Sequence, residues 1–342
     1  PELAVLLAYA KLHLKEKLRT SELTDDPALL KLLTACFPGA VAEAVGEERL
    51  EEHRLRDRIV ATELTNRFVD RMGATCHLEL MRETGQSAAR VVRAWYCAAR
   101  VGGVPKLYDR LRQAEWDVPA GVQLQWHLRI SRALERATLW MLTRGDAGRG
   151  VRETIARYET PVTRLRRALP GLLASGRRDE LDRLRSLHET DGLGSEVAEE
   201  LASLEYLDGL LPVAELARRH GVDADVVGEV YFGLTDLIDF PWLQSTLERV
   251  SGDDLWEQRA ARTLSLELEA ARARMAARIV RDVEAPADVE RAFGEYRRGE
   301  EERLHRVRQV LEDVRTAERP NLSALMVAVH AVRSHAAGAD EL

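Results

Sequence analysis

The sequence predicts an all-α protein, a multi-helix array of two related helical units plus a C-terminal helical hairpin. Three observations carry that expectation. Apolar residues recur at three- and four-residue spacing through nearly every segment, while almost none alternates with the period of two that a strand requires. The joints between segments carry helix-end chemistry, such as Asp26-Pro27, Thr84-Gly85 and Pro320-Asn321. At 342 residues, with 45% hydrophobic and 31% charged side chains, the chain can bury a solid core.

Leu3, Leu6, Leu7, Ala10, Leu14 and Leu18 form one stripe of a first helix, with Pro1 and Glu2 suited to its opening turn. Asp26 followed by Pro27 starts a short second helix. After the Phe37-Pro38-Gly39 break, residues 47 to 83 read as one long helix. Leu55, Ile59, Ala61, Leu64, Phe68, Met72 and Leu80 form its buried side, Gly73 is its weak point and Gly85 its stop. Helices are then expected at 87–101, 104–115, 119–143, 151–169, 177–189, 195–219, 223–237, 241–250, 253–283, 287–317 and 321–336. In the last two, Val289, Phe293, Tyr296, Leu304, Val307, Leu311 and Val314 face Leu322, Leu325, Met326, Val329 and Val332.

The chain also matches itself at an offset of 136 residues: Gly85, Ser87, Val91, Trp95, Tyr96, Pro105 and Leu107 align with Gly221, Asp223, Val227, Tyr231, Phe232, Pro241 and Leu243. Two readings fit this match, generic amphipathic patterning or an old duplication of a four-helix unit. The expected division is N-terminal helices at 1–58, a first unit at 59–144, arginine-rich linker helices at 145–194, a second unit at 195–283 and the hairpin at 284–342. The linker carries eleven arginines against seven acids over residues 144–190.

A formal charge of −7 gives no global attraction to nucleic acid or to an anionic membrane. Of 50 basic residues only Lys11, Lys15, Lys17, Lys31 and Lys106 are lysine, so beyond residue 106 no amine is present to act as base or nucleophile. No apolar run approaches the ~20 residues of a membrane helix and no leader pattern opens the chain, which leads to the expectation of a cytoplasmic protein without a membrane partner. Because the chain opens at Pro1, it reads as a piece of something longer or a trimmed product. Cys36, Cys76 and Cys97 form no CxxC pair and are expected to be reduced, mostly buried thiols.

Few patterns suggest chemistry. No GxGxxG is present, and Gly145, Gly148 and Gly150 have neither the spacing nor the lysine of a phosphate loop, so a hinge is expected there. Glu302 and His305 have ExxH spacing, but a carboxylate-bridged metal pair needs a second ExxH, and a solvated face is the plainer reading. His330 and His335 are five apart and share a face poorly. Cys97, beside Trp95 and Tyr96, reads as core.

The segment Val213 to Val222, followed by Asp223, matches a helix-turn-helix in turn chemistry. From Gly221 to Leu247, however, there are five acids (Asp223, Asp225, Glu229, Asp236, Asp239) and no lysine or arginine, which phosphates would repel. Arg164, Arg166, Arg167, Arg177 and Arg178 could meet RNA or an acidic partner, though a solvated helical face is the plainer reading. A self-contained helical enzyme, with a site assembled across the bundle, is the remaining alternative.

Several blocks resemble, in order, the C-terminal region of the large bacterial NAD-specific glutamate dehydrogenases. They are Pro1-Glu2-Leu3 through Lys11, His53-Arg54-Leu55 through Asn66 and on to Arg71-Met72-Gly73, and Thr84-Gly85 leading into Val91-Val92-Arg93-Ala94. Leu134-Glu135-Arg136-Ala137-Thr138, Tyr231-Phe232 with Trp242-Leu243, and the stretch from Leu322 to Arg333 continue the likeness over nearly the full chain. The resemblance implies a very large, oligomeric, cytosolic enzyme that oxidises L-glutamate to 2-oxoglutarate and ammonia with NAD. It also implies that the nicotinamide site and the catalytic lysine and aspartate lie upstream. On that reading this chain has no catalytic, cofactor-binding or metal residue of its own, and its partners are its own upstream catalytic domain and further copies of the enzyme, not nucleic acid.

Overall fold

The computed structural model describes residues 2–114, 116, 118–145, 149–250, 252, 254–283, 288–317 and 320–338. Among these are nineteen α-helices and no strand, so the all-α expectation holds. The first nine helices are α1 (Glu2–Arg19), α2 (Pro27–Ala35), α3 (Gly39–Val45), α4 (Glu47–Glu51), α5 (Arg56–Met72), α6 (Cys76–Thr84), α7 (Ala88–Val101), α8 (Val104–Ala114) and α9 (Ala120–Thr143). Next come α10 (Val151–Leu172), α11 (Ser175–Thr190), α12 (Ser195–Leu204) and α13 (Leu207–His220). The chain then runs through α14 (Ala224–Gly233), α15 (Phe240–Val250), α16 (Leu255–Val280), α17 (Val289–Gly299), α18 (Glu301–Thr316) and α19 (Leu322–Ala337).

Two compact units are defined by their internal contacts, one of Pro1–Arg166 with Asp182–Leu211, the other of Arg167–Leu181 with Pro212–Leu342. In the first, α1 lies on α5 and α7 lies on α9, around fully buried Phe68, Trp95 and Trp126. Phe68 and Trp95 meet edge to face with ring centroids 5.2 Å apart. In the second, α16 is the central helix, with α14, α15, α17 and α19 packed on it, and α19 also packs on α18. Leu268, Ala271, Met275 and Ile279 of α16 and Leu325, Ala328, Val329 and Val332 of α19, two helices packed together, are all buried.

Helix ends follow local chemistry. Asp26 caps two helices with one carboxylate, its Oδ1 accepting from Ala28 N–H at 3.0 Å at the start of α2 and its Oδ2 from Val151 N–H at 3.1 Å at the start of α10. Ser87, Asp223, Asp254 and Asn321 cap α7, α14, α16 and α19 in the same way. Gly85 and Gly221, aligned by the internal match, both terminate a helix at φ +68°, in the left-handed region that glycine tolerates.

Three expected helices are interrupted. The 47–83 segment divides into α4, α5 and α6, because Gly73 takes φ +87° at the end of α5 and the chain turns at His53 before α5 begins. Leu55, expected on the buried side, is exposed at that turn. The 195–219 segment breaks at Glu205-Tyr206. There Arg136 Nη2 donates to the Glu205 carbonyl at 3.0 Å, and Gly209 N–H, which a continuous helix would direct to that carbonyl, donates to Tyr206 O. The 287–317 segment breaks at Glu300, which has φ −116° and whose carboxylate is drawn to Arg278. Met326, expected inside the hairpin, is exposed. Pro1 and Gly148 lie outside the described residues.

Candidate functional site

Arginine in this chain has a recurring position: its guanidinium reaches from one helix to the carboxyl-terminal carbonyls of another. Carbonyls there sit at the negative end of the helix dipole and each can accept more than one hydrogen bond, so a cation that can donate in several directions suits them. In the first unit, half-buried Arg166 of α10 donates Nη1 to Gly102 O at 2.7 Å, where α7 ends, and Nη2 to Glu200 O at 2.6 Å in the C-terminal half of α12. Its Nη2 and Nε also reach Ser203 Oγ at 2.9 and 3.2 Å. Arg136 of α9 holds Glu205 O together with Asp208 Oδ2, the latter at 2.8 Å, and Arg129 pairs with the Glu205 carboxylate.

The second unit repeats the arrangement. Arg272 of α16 is buried, its Nε donating to Tyr231 O near the end of α14 at 3.2 Å and its guanidinium carbon lying 4.2 Å from the Tyr231 ring centroid. Phe232 and Phe240 add two more aromatic faces at 5.5 and 5.3 Å, and the Tyr231 hydroxyl donates to Glu269 Oε2 at 2.7 Å. Arg308 of α18 donates to Leu237 O at 3.1 Å. Arg278 donates to His335 O at 3.4 Å and pairs with Glu300.

Around Arg278 lies a cluster of titratable groups, Tyr296, Glu300, Arg303 and His335. The buried His335 ring meets the Tyr296 hydroxyl through Nε2 at 2.9 Å, and its Nδ1 is 3.8 Å from Glu300 Oε2. Burial outweighs the pull of Glu300 and lowers the imidazole pKa to about 4, while burial raises the Tyr296 phenol to about 12. Both groups are therefore neutral at pH 7, which suits fixed hydrogen bonding and not proton transfer. His77 and His188 are likewise buried, and desolvation lowers both.

A small cleft in the first unit is lined by Arg90, Arg93, Cys97, Arg149, Thr154 and Tyr158. Each arginine there already engages an acceptor: Arg90 Gln86 Oε1 at 2.9 Å, Arg93 Glu22 at 2.6 Å, and Arg149 Glu153. The Cys97 thiol is pushed up to about 12 by burial, out of range for a thiolate nucleophile at neutral pH.

Glu302 and His305 both lie exposed on α18, and among the described residues no group of three or more His, Cys, Asp or Glu is arranged to hold a metal ion. His330 is exposed and His335 buried, so the two occupy different faces. Cys76 and Cys97 are buried and outside any disulfide, whereas Cys36 is exposed. The helix-turn-helix segment forms as α13, a turn at Gly221 and α14, but within α14 only Glu229 is exposed, so this second helix faces protein and offers no surface to a groove. Arg164, Arg167 and Arg178 are exposed as a solvated face would have them. Arg166 departs from that reading, because its fork holds helix ends. Its four contacts come from two other stretches of chain, the end of α7 and α12, so no local pattern marks it.

Among the described residues no strand, glycine turn and helix unit of the kind that holds a dinucleotide pyrophosphate is formed. The seam glycine Gly145 instead closes α9, a Cβ there falling 2.8 Å from the Met141 carbonyl oxygen.

A family described as "Glutamate dehydrogenase, C-terminal" matches residues 1–334. The chain belongs to that family. Curated relatives named NAD-specific glutamate dehydrogenase include those of Halomonas elongata, 27% identical over 329 residues, and Pseudomonas aeruginosa, 26% identical over 327, each match covering 96% of this chain. That of Mycobacterium tuberculosis is 26% identical over 333 residues and 97% of the chain. In each case the match covers 20% of the relative, so this chain spans about a fifth of the length of the dehydrogenases it resembles. Among the described residues of this family member, no helix is long and apolar enough to cross a membrane.

Proposed function

We propose that this chain is a bracing body within a large, cytoplasmic NAD-dependent glutamate dehydrogenase. L-Glutamate, NAD and water become 2-oxoglutarate, ammonia and NADH on polypeptide outside these residues. The chain contributes rigidity and subunit or domain contacts, and its partners are the upstream catalytic domain and further copies of the enzyme, with no nucleic-acid role.

The observation that carries this reading is where the strong polar groups point. Arg136, Arg166, Arg272, Arg278 and Arg308 all direct guanidinium donors at carbonyls on or just past other helices, inside one unit or the other. An active site would hold convergent, incompletely used donors around a cavity. Here those donors are used in joining helices, which supports a structural role. Family membership over nearly the whole chain, at a fifth of the relatives' length, supports placing the chemistry elsewhere.

The test compares the full-length enzyme with a version ended before the residue equivalent to Pro1, by mass photometry and steady-state turnover. Loss of the native assembly, or a fall in the temperature at which turnover is lost, is expected on truncation. Unchanged assembly and unchanged thermal inactivation would refute a bracing role.

A further inference from the structure

The first helix carries an exposed surface that the rest of the fold leaves unexplained. From Lys11 onward α1 is anchored: Lys11 Nζ meets Asp70 Oδ1 at 2.6 Å, the His13 and His77 rings lie 5.9 Å apart, and Leu14 and Leu18 are fully buried. Before Lys11 every residue from Glu2 to Tyr9 is exposed, and from Leu3 through Ala10 none is charged or otherwise polar except for the Tyr9 hydroxyl. Leu3 is 77% exposed and Tyr9 69%, with Val5, Leu6 and Leu7 alongside them.

Because successive residues advance about 100° around a helix, Leu3, Ala4, Val5 and Leu6 together span its whole circumference, and Leu7, Ala8 and Tyr9 go round again. This is not the one-sided stripe of a helix lying on a surface. A helix that is apolar all round is one that becomes enclosed. Five large apolar side chains exposed in one stretch, Leu3, Val5, Leu6, Leu7 and Tyr9, form a contiguous patch of the kind that marks an interaction site.

The form of the surface selects its occupant. A second copy laid alongside would cover one side of α1 and leave the other in water. Enclosure on every side needs a body that wraps the helix. The relatives are about five times as long as this chain and the matching family is their C-terminal part, so a large preceding polypeptide is the body at hand. We propose that residues 3–9 insert, as a helical plug, into an apolar socket formed by the polypeptide that precedes this region in the full-length protein. This rests on the reading of the chain as part of a larger dehydrogenase, and it supplies the side chains of that junction.

The test uses the full-length protein with p-benzoylphenylalanine in place of Tyr9 or, in a second variant, Leu7, positions on nearly opposite sides of the helix. After irradiation, cross-linked peptides are mapped by mass spectrometry and their mass class read on a denaturing gel. Insertion predicts cross-links from both positions to preceding segments of the same polypeptide, at monomer mass. Cross-links to a second copy, to residues 10–342 alone, or from one position only, would overturn it, as would no cross-link from either. Glutamate-dependent NADH formation is measured on the same preparation. Turnover without cross-links sinks the socket alone, while cross-links without turnover sink the dehydrogenase reading and leave the socket standing.

Discussion

Replacing Arg166 with alanine removes four donor contacts on three acceptors, the carbonyls of Gly102 and Glu200 and the hydroxyl of Ser203. A hydrogen bond from a charged donor contributes about 1.5–3 kcal/mol, and an acceptor left buried costs a similar amount. Arg166 is half-buried, so water recovers part of the loss, and the net expectation is about 3 kcal/mol. In a unit the size of Pro1–Arg166 with Asp182–Leu211 that corresponds to a fall of roughly 6–12 °C in its melting transition.

Lysine at the same position can reach one carbonyl but lacks the planar fork, so Arg166→Lys is expected to retain less than half of the stabilisation. Because the hydrogen-bond acceptors are neutral and the nearby Glu199 and Glu200 carboxylates are opposed by Arg110, the loss in Arg166→Ala should change little between 0.1 M and 1 M salt. By contrast Arg110, which pairs with the carboxylates of Glu196 and Glu200, should show a loss on substitution below about 1 kcal/mol that shrinks with salt. Urea titration followed by circular dichroism reads all three variants. If Arg166→Ala costs under about 0.5 kcal/mol, or its cost is screened by salt, the arginine is a surface charge and the helix-end account fails.

Other outcomes follow from the same structure. Arg272→Leu should cost about 2–4 kcal/mol by urea titration, since it removes a cation from three aromatic faces and leaves the Tyr231 carbonyl without that donor. A loss below 0.5 kcal/mol would mean that the cage contributes nothing. His335, held neutral with its pKa lowered to about 4, binds its proton more readily once unfolded, so acid favours unfolding. Stability should accordingly decline below about pH 6.5, by up to about 1.4 kcal/mol per pH unit until pH ~4, and His335→Gln should flatten that slope by close to one proton. An unchanged slope would contradict the burial argument. Gly85→Ala and Gly221→Ala should each cost about 1–2 kcal/mol, and by like amounts, because both sit at φ +68° with open space where a Cβ would go. Superposing residues 70–111 on 206–247 tests descent of the two stretches from one four-helix unit: the helices should overlay in order with Gly85 on Gly221, and crossing angles that disagree would leave only patterning.

Much of the fold was legible because helices announce themselves locally. Asp26-Pro27, Ser87, Asp223 and Asn321 are caps whose partners lie two or three residues away, so the chain states them directly. Breaks at Glu205 and Glu300 were not legible, since each depends on an arginine from another helix, Arg136 and Arg278. The apolar stripe of α1 was read correctly as helical, yet its first half is exposed, because periodicity reports what a helix is able to bury and not what it meets. Arg166 was invisible as a structural residue for a related reason: an arginine in a basic segment looks alike whether its fork meets water or three distant acceptors. The helix-turn-helix pattern was legible as geometry but ambiguous in use, and the burial of Val226, Val227, Val230 and Tyr231 shows that α14 packs into the fold.

The most direct measurement is isothermal calorimetry of NAD into the purified 342-residue chain, at millimolar cofactor with and without L-glutamate, on material whose helical circular dichroism is intact. The account predicts no binding heat and no NADH formed. Saturable binding of NAD, or glutamate oxidation by this chain alone, would contradict it.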